Sequence, residues 1–187
     1  ALEYVCELKY GGASISLTYE NGVLLRAVTR GDGTQGDDVT KNIKTINSIP
    51  LKLEGDFPYR FDIRGEIVLP FEGFNNMNKQ RILKGEEPYR NPRNTASGSL
   101  KLQDSSEVAR RPLDCLLYHM VGEKLPIQTQ YQSLDLARNL GFKVPATSKL
   151  VTSISEVIKF VEYWAQHRYD LPYEIDGVVI KVNSLFQ

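Results

Sequence analysis

Cysteine is scarce, with two residues in 187, Cys6 and Cys115, each inside an apolar run. Two such thiols do not make a disulfide framework, and they read as buried, reduced side chains. Histidine is equally sparse at two residues. With no cysteine pair at ligand spacing, the composition argues against a structural zinc site. Net charge is also missing, since 23 Lys+Arg balance 23 Asp+Glu. Bulk electrostatic attraction to nucleic acid therefore has no support, and any basic site must be a local constellation. No apolar run approaches membrane-spanning length and no signal peptide opens the chain, which reads as a cytoplasmic protein without membrane contact. Internal repeats, low-complexity tracts and linkers are absent too.

What remains is an ordinary globular composition, 41% apolar, enough to bury a real core. Residues 3–9 alternate as a strand, which places Glu7 and Lys9 on one face. Residues 14–19 alternate again with Ile15, Leu17 and Tyr19 inward, and Asn21-Gly22 supplies a hairpin turn into a strand at 23–30. A glycine-rich loop at 31–36 leads to a helix carrying Val39, Ile43 and Ile46 on one face and ended by Pro50. Further strands are predicted at 61–67, at 112–121 (buried on both faces) and at 173–183. Helices are predicted at 71–84, 130–140 and 154–168, with a turn-rich loop at 91–94. The last helix opens on the capping pattern Ser153-x-x-Glu156 and carries Val157, Phe160, Val161 and Trp164 on one stripe. Hairpins rather than regular βαβ units point to an α+β fold with antiparallel sheets, in one domain spanning 1–187.

Several strands carry charges beside apolar neighbours: Glu7, Lys9, Arg30, Arg64, Glu66, Asp176 and Lys181. Periodicity alone is satisfied by a solvated sheet face, with Glu66 paired to Arg64. The local sequences say more. Lys9-Tyr10-Gly11-Gly12 resembles the Lys-x-Asp-Gly motif of the covalent nucleotidyltransferases, which comprise DNA ligases, RNA ligases and capping enzymes. Phe61-Asp62-Ile63-Arg64-Gly65-Glu66 resembles that superfamily's third motif, and Glu174-Ile175-Asp176-Gly177-Val178-Val179-Ile180-Lys181 its fourth. All three stand in the family's order. Thr29-Arg30-Gly31-Asp32-Gly33-Thr34-Gln35-Gly36-Asp37-Asp38-Val39-Thr40, Asn91-Pro92-Arg93-Asn94-Thr95-Ala96-Ser97-Gly98-Ser99-Leu100 and Arg111-Pro112-Leu113-Asp114 are similar to the NAD-dependent bacterial DNA ligases in particular. The resemblance runs from about residue 3 to 184.

The resemblance implies antiparallel sheets with flanking helices forming a nucleotide cleft, the DNA ligase/mRNA capping enzyme fold. It implies that Lys9 attacks the α-phosphorus of NAD, expels nicotinamide mononucleotide and becomes lysyl-AMP. The AMP then passes to a DNA 5′-phosphate and is displaced by the 3′-hydroxyl of a nick. A lysine amine, with a pKa of about 10.4 in model peptides, is mostly protonated near neutrality. The chemistry therefore calls for desolvation or nearby cations, for which Lys181, arginines and bound Mg²⁺ (or Mn²⁺) are the candidates.

By the same resemblance Glu7 hydrogen-bonds the adenine amino group and Arg30 contacts ribose or phosphate. Glu66 binds the ribose hydroxyl or the metal's water shell. Tyr118 and Val179 pack on the adenine faces, and Lys181 meets the phosphate. Arg93, Lys101, Arg168 and Asp176 serve the DNA or phosphate contacts, Lys101 standing where arginine is common. Asp176 and Lys181 differ by an odd number, so both can serve one site only across a bulge near Gly177.

Gly11 departs from the motif's aspartate, which leaves either an impaired enzyme or compensation by a group such as Glu66. The implied nicotinamide mononucleotide-recognition domain, OB-fold, zinc module, helix-hairpin-helix elements and BRCT domain are not in the chain, which reads as an excised fragment. Such a fragment is expected to be a monomer that binds adenosine-containing ligands and makes lysyl-AMP from NAD poorly. Nicked duplex DNA would be the partner of the intact enzyme, and zinc would belong to the missing C-terminal region. Two alternatives are an ATP-dependent polynucleotide ligase or capping enzyme, and a nucleotide-binding module without activity.

Overall fold

A computed structural model describes residues 2–31 and 36–186. Most of the Gly31–Gly36 loop, residues 32–35, lies outside the described residues. Two antiparallel sheets organise the chain. The three-stranded sheet has the order β6-β1-β7, built from Lys149–Val151, Tyr4–Tyr10 and Ile175–Val182. The four-stranded sheet has the order β3-β2-β4-β5, built from Val23–Thr29, Ala13–Glu20, Arg60–Val68 and Asp114–Val121. The Asn21-Gly22 hairpin forms as its residues require, with φ of 48° and 77°, a left-handed pair that few other dipeptides adopt without strain.

The larger sheet buries Ile15, Leu17 and Tyr19 completely, as their alternation demands. Tyr19 stacks on Phe61 at 5.4 Å, and Phe142 meets it edge-on at 5.1 Å. The second core lies under the smaller sheet. There Cys6, Leu8 and Tyr10 pack with Phe160 of the helix α6 (Ile154–His167) and with Val68 and Leu116 of the larger sheet. That cluster ties the sheets together. Both thiols are free and buried.

Local signals elsewhere are partly overruled. The Asn91-Pro92 stretch is not a loop but the start of the helix α3 (Pro92–Leu100); α1 and α2 are Thr40–Ile43 and Phe71–Leu83. The Asn91 side chain accepts from the Asn94 N–H at 2.8 Å and Pro92 takes the first turn, so turn-forming residues act here as a helix cap. The helix expected after the glycine loop is only the four residues of α1. Its apolar positions Val39, Ile43, Ile46 and Ile49 are buried all the same. Two short elements carried no sequence signal, β6 and α4 (Ser105–Ala109). The remaining helix α5 spans Gln130–Asn139. On α6, Ser153 caps as expected, accepting from the Glu156 N–H at 3.2 Å. Val161, however, is exposed, and Phe160 alone of the stripe is fully buried.

Close backbone approaches and two register shifts shape the cleft between the sheets. A Cβ on Gly12 would lie 2.1 Å from the Ile67 carbonyl, and one on Gly65 would lie 1.9 Å from that of Leu116. Backbones approach too closely there for any side chain. The register of β4 against β5 shifts between Arg64↔His119 and Gly65↔Leu117, which leaves Tyr118 as the extra residue of a bulge. A second shift lies opposite Lys9/Tyr10, where Lys9 pairs with Gly177 and Tyr10 with Ile175, leaving Asp176 extra. This is the break expected between Asp176 and Lys181. Strand β5 is also not buried on both faces, because Tyr118 and His119 open onto the cleft.

Candidate active site

The cleft encloses a cavity of about 290 Å³, at the small end of ligand pockets. Strand β1 contributes Glu7 and Lys9 two residues apart on one face, and β7 contributes Val179 and Lys181. Val179 pairs directly with Glu7 across the ladder. From the larger sheet come Arg30 just beyond β3, Arg64 and Glu66 on β4, and Tyr118 and His119 on β5. An ideal strand would send these last two to opposite faces, and the bulge at Tyr118 lets both reach the cavity.

The electrostatics are uneven. Four basic side chains (Lys9, Arg30, Arg64, Lys181) face two carboxylates. Glu7 is 4% exposed, a costly place for a charge unless it is paired. It has two partners: the Lys181 ammonium at 3.2 Å and the Gln130 amide at 3.2 Å. Burial raises the Glu7 carboxyl above its ordinary range, and the Lys181 charge and both hydrogen bonds pull it back. Lys181 also sits 4.8 Å from the Tyr118 ring centroid, within cation–π range. Lys9 lines the cavity, and among the described residues its amine has no ion-pair partner.

Glu66 accepts from the Ser14 hydroxyl at 3.0 Å and the Tyr118 phenol at 3.2 Å. Burial raises its carboxyl, opposed by those two bonds and by the charges of Arg93 and Arg30. Burial and the Glu66 charge push the Tyr118 phenol up, while burial holds the His119 imidazole below its usual value and hence neutral near pH 7.

Because the Glu66 carboxyl is raised, the folded chain holds that proton more tightly than the unfolded chain. The resulting stability is complete below the ordinary carboxyl range and is lost as pH climbs through the raised value. Glu66→Gln keeps an acceptor for Ser14 and Tyr118 but cannot ionise. It is expected to match wild type near pH 4 and to be the more stable of the two near pH 7.5 in urea titrations.

Seven of the residues singled out by sequence meet in this cavity: Glu7, Lys9, Arg30, Glu66, Tyr118, Val179 and Lys181. Four do not line it. Arg93 pairs with Asp176 at 3.1 Å and so links α3 to the β7 bulge. Lys101 is exposed just past α3. Arg168 opens a single 3-10 turn, Arg168–Asp170, and donates to the Ile175 carbonyl. Arg64 is not the ion-pair partner of Glu66. It lines the cavity, and its Nε is buried without a partner among the described residues. The sequence places it among the charged strand residues, though without a role. His119 and Gln130 carried no local signal, since one depends on a bulge and the other on a helix distant in sequence.

At Gly11 a Cβ would meet Glu174 Cγ at 3.1 Å and Asp176 Oδ1 at 3.2 Å. The carboxylates nearest that position are those of Glu174 and Asp176. One Glu174 oxygen is buried without a hydrogen-bond partner among the described residues.

Two antiparallel sheets around a cleft that sets a lysine beside two carboxylates and further basic groups define a nucleotidyltransferase-type domain. The same fold occurs in a mycobacterial DNA ligase D complexed with ATP and MES, at a TM-score of 0.53 and 13% identity over 97% of this chain and 49% of that one. The chain belongs to the NAD-dependent DNA ligase adenylation domain family, whose model matches residues 1–187. It is 68% identical over its full length to a DNA ligase of Christiangramia forsetii. Over 98% of its length it is 67% identical to a DNA ligase of Flavobacterium johnsoniae. It spans 28% of the length of each of these relatives. Among the described residues no helix is long and apolar enough to cross a membrane.

Proposed function

We propose that this chain is the single-domain adenylation core of a bacterial, cytoplasmic NAD-dependent DNA ligase, with Lys9 as its nucleophile. The observation that carries the reading is that Lys9 lines the same cavity as Glu7, Lys181 and Tyr118, with no ion-pair partner among the described residues. Tyr118 and Val179 cover the faces of an adenine, and the Glu7 carboxylate accepts from its amino group. Arg30, Arg64 and Lys181 neutralise charge that builds on the phosphoryl oxygens. The Lys9 Nζ–P bond forms as the bond to nicotinamide mononucleotide breaks, giving lysyl-AMP. AMP then moves to the 5′-phosphate of nicked duplex DNA, and the 3′-hydroxyl displaces it. Arg93, Lys101, Arg168 and Asp176, outside the cavity, belong to the DNA-facing steps.

Mg²⁺ (or Mn²⁺) fits this site without a preformed cage. Among the described residues no cluster of three or more metal-ligating side chains exists, but Mg²⁺ is commonly held by one or two carboxylates, water and substrate phosphates. Glu66 on the cavity wall would hold it through water, and the ion would supply charge neutralisation at the phosphates. The chain by itself binds adenosine-containing ligands and forms lysyl-AMP from NAD poorly, because nicotinamide mononucleotide recognition lies elsewhere in the whole protein.

Incubating the whole protein with NAD or with ATP and locating adenylate by peptide mass spectrometry tests the reading. Adenylate on Lys9 from NAD but not ATP is expected. An adduct from ATP would move the protein to the ATP-dependent ligases. A folded protein that binds AMP but never carries an adduct would establish the second reading, a nucleotide-binding module disabled by Gly11.

A further inference from the structure

Gln130 opens α5, is 1% exposed and has no role in the reaction as described so far. Its side-chain amide nonetheless touches three cavity elements. Nε2 donates to the Tyr118 carbonyl at 2.7 Å and to Glu7 Oε2 at 3.2 Å, and Oε1 faces His119 Nδ1 at 3.0 Å. The contact with Tyr118 settles the orientation. A backbone carbonyl only accepts, so the amide nitrogen must lie on that side and the amide oxygen on the other. That oxygen also only accepts, so His119 Nδ1 must carry the proton, and a neutral ring keeps Nε2 bare. The anchor itself is firm. The Gln130 N–H donates to the Asn183 carbonyl at 2.7 Å, beside the Thr129 cap of α5.

We propose that Gln130 is a positioning residue for base selection. Through one amide it holds Glu7 as an acceptor and His119 in its Nδ1–H tautomer, so the cavity favours a 6-aminopurine over a 6-oxopurine. The inference rests on the reading of the cavity as a base pocket. An amino group offers hydrogens to the acceptor that Gln130 orients, whereas a 6-oxo group sets an oxygen against it, the kind of mismatch that polar sites reject strongly. Neither Glu7 nor His119 is adjacent to Gln130 in sequence, so one side chain sets two distant groups.

The test uses the whole protein. Binding of AMP and of IMP is measured by calorimetry in wild type, Gln130→Met and Gln130→Glu, with circular dichroism to verify folding. The His119 tautomer is read from ¹⁵N-histidine spectra, assigned by the resonance lost in His119→Phe. Wild type is expected to show the Nδ1–H form and to prefer AMP. Gln130→Met, close in volume but without the amide, is expected to cut that preference about tenfold and release the tautomer. Gln130→Glu keeps an acceptor for Nδ1 but sets a carboxylate against Glu7. It is expected to preserve the tautomer while losing the preference, a split that a merely structural role would not produce. An Nε2–H ground state in wild type, or an unchanged AMP:IMP ratio in folded Gln130→Met, would overturn the proposal. If Gln130→Met does not fold, the wild-type tautomer and Gln130→Glu decide the matter. Should wild type bind neither nucleotide, the base pocket fails and base selection with it, while the tautomer still reports whether Gln130 orients His119.

Discussion

Lys9→Arg in the whole protein should abolish adenylate transfer from NAD, by more than about 10⁴-fold, the scale on which loss of a covalent nucleophile is felt. Arginine keeps the positive charge and most of the reach, but its guanidinium does not deprotonate and so offers no lone pair to phosphorus. The side chain at this position is exposed on β1 and joins none of the ion pairs among the described residues. Stability should therefore stay within about 0.5 kcal/mol of wild type, as for other surface substitutions. AMP affinity should change little, because Glu7, Tyr118 and Val179 are untouched. One substrate separates a lost nucleophile from a damaged site: a nick whose 5′-phosphate already carries AMP. Sealing it needs only attack by the 3′-hydroxyl, so the variant should still do so. Robust adenylate formation by Lys9→Arg, mapped to another residue, would remove Lys9 from the mechanism altogether.

Lys181→Met should cost two separate things. The ammonium lies 3.2 Å from Glu7 Oε2 and faces the cavity, so it both sustains a buried carboxylate and supplies charge for phosphate. Loss of the second role is expected to slow adenylate formation about 10²–10³-fold, as does loss of one preorganised donor to a developing oxyanion. Loss of the first leaves Glu7 with Gln130 alone and raises a carboxyl that burial already lifts. Removing one partner of a fully buried pair costs about 3–5 kcal/mol; here about 2 is expected, because Glu7 can neutralise itself by taking a proton. With Glu7 raised further, the stability deficit should widen as pH rises above the carboxyl range and shrink as pH falls. The double variant Glu7→Gln/Lys181→Met removes the stranded charge. It should regain most of the stability and none of the rate. Recovery of both together would mean that Lys181 acts only through Glu7.

The glycine at position 11 takes its meaning from what surrounds it. Glu174 and Asp176 stand where its side chain would project, and Asp176 is already engaged by Arg93. Two carboxylates thus stand at the edge of the lysine's strand even without the motif's own. The bulge that brings Asp176 there is also the one that separates its register from that of Lys181.

Much was decided within a few residues of chain, because the forces involved act at that range. The alternation of Ile15, Leu17 and Tyr19 dictated a half-buried strand, Asn21-Gly22 a left-handed turn, and Ser153 a helix start. The spacing of Glu7 from Lys9 put carboxylate and amine on one face, and the motifs from Lys9 to Lys181 carried the family. Tertiary structure alone decided which partners those side chains meet. Tyr118 and His119 reach one cavity only because β5 slips a register against β4. Gln130 meets Glu7 across 123 positions, and Asn91-Pro92 caps a helix where the same residues could equally close a turn. Periodicity and capping are satisfied by near neighbours, whereas a bulge or a buried amide's partner is selected by the packing of strands and helices that meet only when the whole chain has folded.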